Sequence, residues 1–346
     1  MYQVALISGD GIGPEISDAT VRVIEASGAR INWQETLIGQ EARRRLGAEL
    51  PWDSLERIRA LRVALKAPLI AEKASGGVIV EGGGKTRRHP SINNGLRREL
   101  DAYANLRPVR GFAGVSGPYR DLDVVIVREL TEDVYGGIER QVDDDTFEAC
   151  KRISGTASRR IARYACDYAR RAGRRKVTAV HKANVLHLTD GLFLRSVREV
   201  AADYPDLECD DLMVDATCYH MVKTPERLDV LVMPNQYGDI LSDLLAALAG
   251  SLGLAPGANI GPEVAMFEAA HGAAPDIAGR NTANPIGLIL SGALLLEHLH
   301  EDGAAARVRR GVAAALADER CLTPDLGGRA TTTELTRHIC EQMQDD

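Results

Sequence analysis

Two carboxylates stand four residues apart, at Asp239 and Asp243, in the run PNQYGDILSDLLAAL (234–248). On a helix that spacing puts both on one face, one turn apart. Like charges so placed repel each other, and either of two things relieves them: solvation of an acidic face, or a cation held between them. Leu241, Leu244 and Leu245 make the segment apolar, which favours the cation. A third carboxylate, Asp215, ends the run LMVDA (212–216), read as a strand. Three carboxylates without a Cys/His cluster favour a hard divalent ion, Mg²⁺ or Mn²⁺, over zinc. Against these acids stand Arg97 and Arg107 around LRRELDAYANLRP, Arg128 in VRELTEDVYGG and Lys182 in VHKAN. Each alone reads as a surface charge. Together they suit a small polyanionic substrate, because guanidinium forks grip carboxylates through paired hydrogen bonds. Tyr135 follows Arg128 by seven residues and is a candidate proton donor.

Two glycine loops invite a nucleotide. In GGGKTRRHPSINNGLR (82–97), Gly84, Lys85 and Thr86 imitate the end of a phosphate loop. The motif needs a glycine five positions before Gly84, and that position is Ile79. A phosphotransferase built on this loop is therefore disfavoured. GDGIGPE (9–15) follows a strand and opens a helix, but its spacing is G-x-G-x-G and not the dinucleotide fingerprint. No acidic residue ends a second strand about 20 residues on, where a ribose contact would be. A tight strand-to-helix connection with Pro14 in the first helical turn accounts for it.

These residues need a scaffold. Apolar runs read as strands at 3–8, 62–67, 123–130, 176–183, 212–216, 228–234 and 266–272, most without alternation, as when both sheet faces are covered. Helical spacing recurs over 14–27, 156–172, 192–204, 284–300 and 304–318. The alternation predicts an α/β fold. The glycine-rich segment 75–84 is the most loop-like. A length of 346 residues suggests two domains, at roughly 150 residues each. Hydrophobic content of 45% allows a sizeable core, and a net charge of −7 argues against nucleic acid as partner. Six cysteines without a C-x-x-C pair read as reduced and predict a cytoplasmic protein. The start MYQVALISGD reads as a strand and not a signal peptide, and no apolar run approaches the roughly 18 residues of a membrane span.

Nine runs, spread over nearly the whole chain and in order, carry a resemblance: GDGIGPE, SINNGLR, YANLRP, TEDVYGGIE, VHKANV, DGLF, NQYGDILSD, MFEAAHGAAPDIAG and ANP. They resemble the isocitrate/isopropylmalate dehydrogenase family of metal-dependent β-decarboxylating dehydrogenases, and are most similar to its NAD-dependent isocitrate members. The resemblance implies two open α/β domains, neither of them a Rossmann domain. Residues 1–100 with 250–346 would form the large cofactor-binding domain. Residues 101–249 would form a dimerisation and metal domain whose arm, 137–155, clasps a second copy. It implies a homodimer with shared active sites. Asp239 and Asp243 would hold Mg²⁺ or Mn²⁺ together with Asp215 of the partner subunit. Arg97, Arg107 and Arg128 would bind the malate carboxylates. Tyr135 and the partner subunit's Lys182 would be the acid/base pair in oxidation at C2, loss of CO₂ and protonation at C3. The cofactor would lie on His271, Gly272, Ala274, Asp276, Ile277 and Asn284, with Ile12 near the adenine. Asp276 and Ile277 stand where NADP-dependent relatives carry a Lys–Tyr pair, and a carboxylate there repels a 2′-phosphate, so NAD is expected.

The C3 substituent is the open question. Ser91 and Asn93 resemble the isocitrate pattern, in which they meet the third carboxylate. Facing an isopropyl group, unpaired polar groups would cost roughly 1–3 kcal/mol each, which disfavours isopropylmalate. The segment 71–88 is an insertion relative to the isocitrate pattern and brings Lys85, Arg87 and Arg88. By default it is a solvated loop. Alternatively it reads a more highly charged substituent, as in a phosphonate analogue, 2-phosphonomethylmalate, used in phosphonate natural-product pathways. Homoisocitrate and tartrate enzymes, and a non-catalytic regulatory subunit, are further alternatives. The last is disfavoured because Tyr135, Lys182, Asp215, Asp239 and Asp243 are all present.

Overall fold

The computed structural model describes residues 1–70 and 77–344. The chain divides into two compact units. Met1–Asp101, Gly111–Arg120 and the chain from Ala249 onward form the first; Ala102–Arg110 and Asp121–Leu248 form the second. Residues 111–120, expected with the middle of the chain, group with the first unit.

The first unit opens with β1 (Tyr2–Ile7), α1 (Gly13–Ala26), β2 (Ile31–Glu35), α2 (Gln40–Leu46), α3 (Trp52–Leu61), β3 (Val63–Lys66), β4 (Val78–Gly82), β5 (Lys85–His89) and α4 (Ile92–Glu99). The second unit follows with β6 (Ala104–Arg110), β7 (Asp123–Glu129), β8 (Glu139–Gln141), β9 (Phe147–Ala149), α5 (Gly155–Arg171), β10 (Lys176–His181), α6 (Thr189–Ala201), β11 (Glu208–Met213), α7 (Val214–Lys223), β12 (Val230–Met233) and α8 (Asn235–Leu248). The chain then returns to the first unit with β13 (Pro256–Ile260), β14 (Ala265–Ala269), α9 (Ile286–His298), α10 (Asp302–Ala317) and α11 (Thr332–Gln342).

Within each unit five of the strands follow the same plan. In the first the order is β13-β14-β3-β1-β2, parallel except for the β13–β14 pair. In the second it is β11-β10-β12-β7-β6, parallel except for β6–β7. Parallel strands need helical crossovers, and helices over both faces explain why β3 and β12 are buried at every residue. Helix α9 is buried on nearly all sides, because it packs on β13 and β14 and against α1 and α10. Its sequence is correspondingly apolar all round. No helix among the described residues is long and apolar enough to cross a membrane.

Three expectations change. A second strand, β2, does end in an acidic residue, Glu35, although the G-x-G-x-G spacing of GDGIGPE still departs from the dinucleotide fingerprint. The segment 75–84 is not simply a loop: β4 and β5 pair antiparallel as a hairpin, Ile79 opposite Arg88 and Val80 opposite Arg87. Gly83 and Gly84, at φ 59° and 73°, make its two-residue turn, a conformation glycine adopts without a Cβ penalty. GGGKT is thus a hairpin tip, and no helix opens after it as a phosphate loop requires. Val78 and Val80 give the hairpin one apolar face, packed with Trp52, Leu55, Ile92 and Leu96; glycine at the tip masked that alternation. Of the insertion 71–88, residues 71–76 lie outside the described residues. The third change concerns Asp215, expected at a strand end. It lies in the first turn of α7, because β11 stops at Met213.

Candidate active site

In the second unit the chain brings five of the expected residues together. Arg128, on β7, is 1% exposed, so its charge needs partners inside the protein. Nε donates to Asn235 Oδ1 at 2.9 Å, and Nη1 donates to Asp239 Oδ1. The Tyr135 hydroxyl donates to the other Asp239 oxygen, and Arg128 stacks over the Tyr135 ring at 5.2 Å. Arg107, on the adjacent strand β6, donates from Nε to Asn105 at 2.8 Å and from Nη1 to Ser242 at 2.9 Å, with Asp243 at 3.5 Å. Residues 239, 242 and 243 share one face of α8, so the helix period sets the spacing that both arginines meet.

Local sequence positions Tyr135. Asp133 Oδ1 accepts from Val134 N at 2.8 Å, and its Oδ2 accepts from Gln236 N at 2.9 Å. The second bond satisfies a donor in the first turn of α8 and pins the 131–136 turn to that helix. Gly238 lets Arg128 lie flat: a Cβ there would stand 2.5 Å from Arg128 Cγ and 2.6 Å from its Cβ.

The charges follow from these contacts. Burial alone would raise the Asp239 carboxyl, but Arg128, Tyr135 and Arg107 outweigh it and hold it below the usual range. Burial raises the Asp243 carboxyl, Arg107 opposes this, and the neighbouring Asp239 charge adds to the rise. The Tyr135 phenol is pushed up to about 12, first by burial and then by Asp239, so it keeps its proton at neutral pH. Two oxygen donors on one helix face, 40% and 59% exposed, with no thiolate or imidazole among the contacts described, fit a hard divalent cation. Lys182 and Asp215 pair with each other elsewhere in the second unit, Nζ donating to Oδ1 at 2.6 Å.

The first unit holds a second cluster. Glu268, on β14, is buried and receives Lys66 Nζ at 2.6 Å, Arg97 Nη2 at 3.1 Å and Asn259 Nδ2 at 2.5 Å. Burial would raise its carboxyl; Lys66, Arg97 and Asn259 outweigh that and hold it far below the ordinary value. Asn93 Oδ1 lies 3.4 Å from Lys66 Nζ, and Ser91 caps α4 by accepting from Asn94 N at 3.2 Å. Lys66 and Glu268 were not anticipated. Each is a single charge within an apolar strand, and only the pairing of β3 with β14 shows that they meet.

The basic hairpin is partly committed to its own fold. Arg87 Nε donates to Glu99 at 2.5 Å and the guanidinium stacks over Trp52 at 5.2 Å, while His89 Nε2 lies 2.9 Å from the same carboxylate. Arg87 therefore fastens the hairpin to α4, whereas Lys85 and Arg88 are exposed.

Residues 271–279 form a loop after β14. Ile12 N donates to Ala273 O at 2.9 Å, so the GDGIGPE turn and this loop lie together, and the Ile12 side chain is 4% exposed. His271 presents a buried Nε2 with no hydrogen-bond partner among the described residues. Gly272 and Asp276 are exposed, and Ala274 and Ile277 are half-buried, closed by a turn from Ile277 N to Ala274 O at 3.2 Å. This loop fits a dinucleotide through backbone groups and His271. Asn284 is engaged within the protein: Oδ1 accepts from Ile286 N and Nδ2 donates to Asp325, both at 3.0 Å.

The model of the isocitrate/isopropylmalate dehydrogenase family matches residues 3–343. The chain belongs to that family. A crystal structure of isocitrate dehydrogenase from Methylococcus capsulatus is 46% identical and superposes with a TM-score of 0.90, covering 99% of this chain and 100% of that one. The mitochondrial NAD isocitrate dehydrogenase catalytic subunit 5 of Arabidopsis thaliana is 44% identical, over 98% of this chain and 87% of its own length. The human mitochondrial alpha subunit of the NAD enzyme is 43% identical, over 99% and 90%. The isocitrate/isopropylmalate dehydrogenase fold expected from the motifs is thereby established. The cytoplasmic location expected from the cysteines is overturned, since the Arabidopsis and human relatives are mitochondrial proteins. All six cysteines are free, but free thiols report a reducing environment and not which compartment supplies it.

Two substitutions test these clusters in this family member. Gly238→Ala drives a methyl into Arg128 and is expected to cost about 2 kcal/mol in denaturant unfolding; unchanged stability would show that Arg128 moves freely. Glu268→Gln leaves Lys66 and Arg97 without their counter-charge and is expected to cost about 3 kcal/mol at pH 7. The depressed Glu268 carboxyl contributes stability that is complete above the unfolded value near 4.5 and is lost as pH falls toward the folded one. The gap between wild type and variant should therefore narrow below about pH 4.5. A gap independent of pH would remove Glu268 from the acid response.

Proposed function

We propose that the chain is an NAD-dependent dehydrogenase that oxidises the 2-hydroxyl of isocitrate and releases CO₂. The observation that carries this is the convergence of Arg107, Arg128 and Tyr135 on the paired carboxylates of α8. Arg107 and Arg128 hold the substrate carboxylates by charge-assisted hydrogen bonds. Tyr135, protonated at neutral pH, supplies a proton to C3, and the partner subunit's Lys182 takes the proton of the 2-hydroxyl. Asp239 and Asp243, with Asp215 of the partner subunit, would hold Mg²⁺ or Mn²⁺, which would supply Lewis-acid stabilisation of the oxygen charge that develops as CO₂ leaves. Asp239 satisfies Arg128 and Tyr135. A substrate carboxylate that took over those donors would free Asp239 oxygens for a cation, so substrate and metal would bind with positive coupling.

A homodimer is part of the proposal. Most of the exposed large apolar side chains described are in the second unit, including Val142 and Phe147 on the β8–β9 hairpin, Leu188, Tyr219 and Ile240. Apolar exposure of this extent favours a covering partner, and a second copy is the partner the sharing of Lys182 and Asp215 requires. The cofactor proposal is NAD, resting on His271 and the exposed carboxylate of Asp276.

A second substrate, the phosphonate analogue 2-phosphonomethylmalate, is favoured by one feature: the exposed Lys85 and Arg88 on a hairpin whose second strand ends at His89, shortly before Ser91 and Asn93. The deciding assay follows NADH formation with Mg²⁺ or Mn²⁺ and compares kcat/KM for the two substrates. Turnover of isocitrate by the higher value supports the main proposal; the reverse, with Arg88→Ala hurting the phosphonate more, supports the second. No turnover of either would end both. In the same assay Asp276→Lys with Ile277→Tyr is expected to shift preference toward NADP, and an unchanged ratio refutes the cofactor assignment.

A further inference from the structure

Asp190 is a carboxylate with no exposure, placed in the first turn of α6. An acidic residue there commonly caps its own helix. This one reaches elsewhere. Oδ2 accepts from the backbone N of Lys182 at 2.7 Å and from the Tyr237 hydroxyl at 3.0 Å. Oδ1 is ion-paired with Lys151 Nζ at 2.7 Å. Lys151 also stacks over the Tyr237 ring at 4.3 Å and lies 3.9 Å from Asp133.

Three pieces of the second unit meet on this one carboxylate. Lys182 begins a tight turn, closed by Val185 N and Leu186 N on its carbonyl at 3.0 and 2.9 Å. Tyr237 is on α8, between Asn235, which holds Arg128, and Asp239. Lys151 is two residues past β9, at the root of the exposed hairpin, where Cys150 N donates to Ile138 O at 2.9 Å. A buried carboxylate is stable only while its counter-charge and donors stay in place. The hairpin root, the Lys182 turn and α8 are therefore fixed relative to one another through Asp190.

We propose that Asp190, held by Lys151 and Tyr237, is a positioning residue for Lys182, and that it ties the acid/base lysine to the root of the β8–β9 hairpin. The inference rests on the acid/base reading of Lys182 given above. Lys182 Nζ ends a long flexible stem, so a backbone shift of about 1 Å at its base costs on the order of 100-fold in rate when the group must meet a reacting proton. An ion pair that served folding alone would lower stability without separating kcat from KM.

The test uses the full chain, with isocitrate, NAD and Mg²⁺. Lys151→Met keeps the stem and removes the charge. The expected result is a fall in kcat of roughly 10- to 100-fold, KM for isocitrate within about twofold, an unchanged dimer in sedimentation, and partial recovery in Lys151→Arg. A kcat within about twofold of wild type overturns the proposal, as does an equal loss in Lys151→Met and Lys151→Arg. If Lys151→Met does not fold, Tyr237→Phe decides: a selective loss of kcat supports the proposal and unchanged kinetics overturn it. Lys182→Met separates the two readings, because retained activity there would fail the acid/base role itself and not the positioning network.

Discussion

A guanidinium with 1% exposure sets the terms for the second unit. Arg128 cannot be left without partners, since an isolated buried charge costs several kcal/mol. Its partners, Asn235 and Asp239, are one helical turn apart on α8. The helix must therefore start just before residue 235 and lie flat against β7, which Gly238 permits and a larger residue would not. Asp133 then ties the following turn to the start of α8 and delivers Tyr135 to the remaining Asp239 oxygen. One buried charge thus dictates the helix start, the close approach and the placement of Tyr135.

The first unit solves the same problem with opposite sign. Glu268 is a buried anion served by Lys66, Arg97 and Asn259. The ion pairs in both units are costly to bury and costly to break, which makes them poor devices for stability but good ones for fixing geometry. In each unit they use interior strands of the five, β7 in the second and β3 with β14 in the first, each paired on both sides. A substrate that offers carboxylates to such arginines competes with a protein carboxylate already in place, so binding exchanges one anion for another and need not desolvate a bare charge.

How far the sequence foretold this depends on the element. The covered strands β1, β3, β7, β10 and β12 were legible, because parallel strands buried on both faces read as unbroken apolar runs. The helices α2, α3 and α4 were not: they are short, rich in Arg and Glu, and show only a narrow apolar stripe. Strand β6 was hidden by Arg107 and Pro108 within it, since a buried arginine breaks the apolar pattern that marks a strand. Of the site, Asp239 and Asp243 could be paired from spacing alone, as i and i+4 are neighbours on any helix. The arginines opposite them could be listed but not matched, because β6, β7 and α8 are brought together by tertiary contacts. Ser242 was within the same motif, and its position three residues after Asp239 could have flagged it as a partner for Arg107.

The hairpin shows most plainly why charge content is not charge function. Its run KTRRH looks like a single basic patch. Strand alternation puts Arg88 on the face opposite Arg87 and His89, while Lys85, on their side, stands next to the turn and is exposed. Arg87 and His89 turn toward α4 and share Glu99, whose carboxyl burial would raise but whose basic partners hold below the usual range. Arg59 adds to that cluster and to the stack on Trp52. These charges are neutralised inside the unit and contribute little field outside it. Among the described cations of the insertion Lys85 and Arg88 remain exposed while Arg87 is engaged within the unit, so the sequence overstates the charge this hairpin presents.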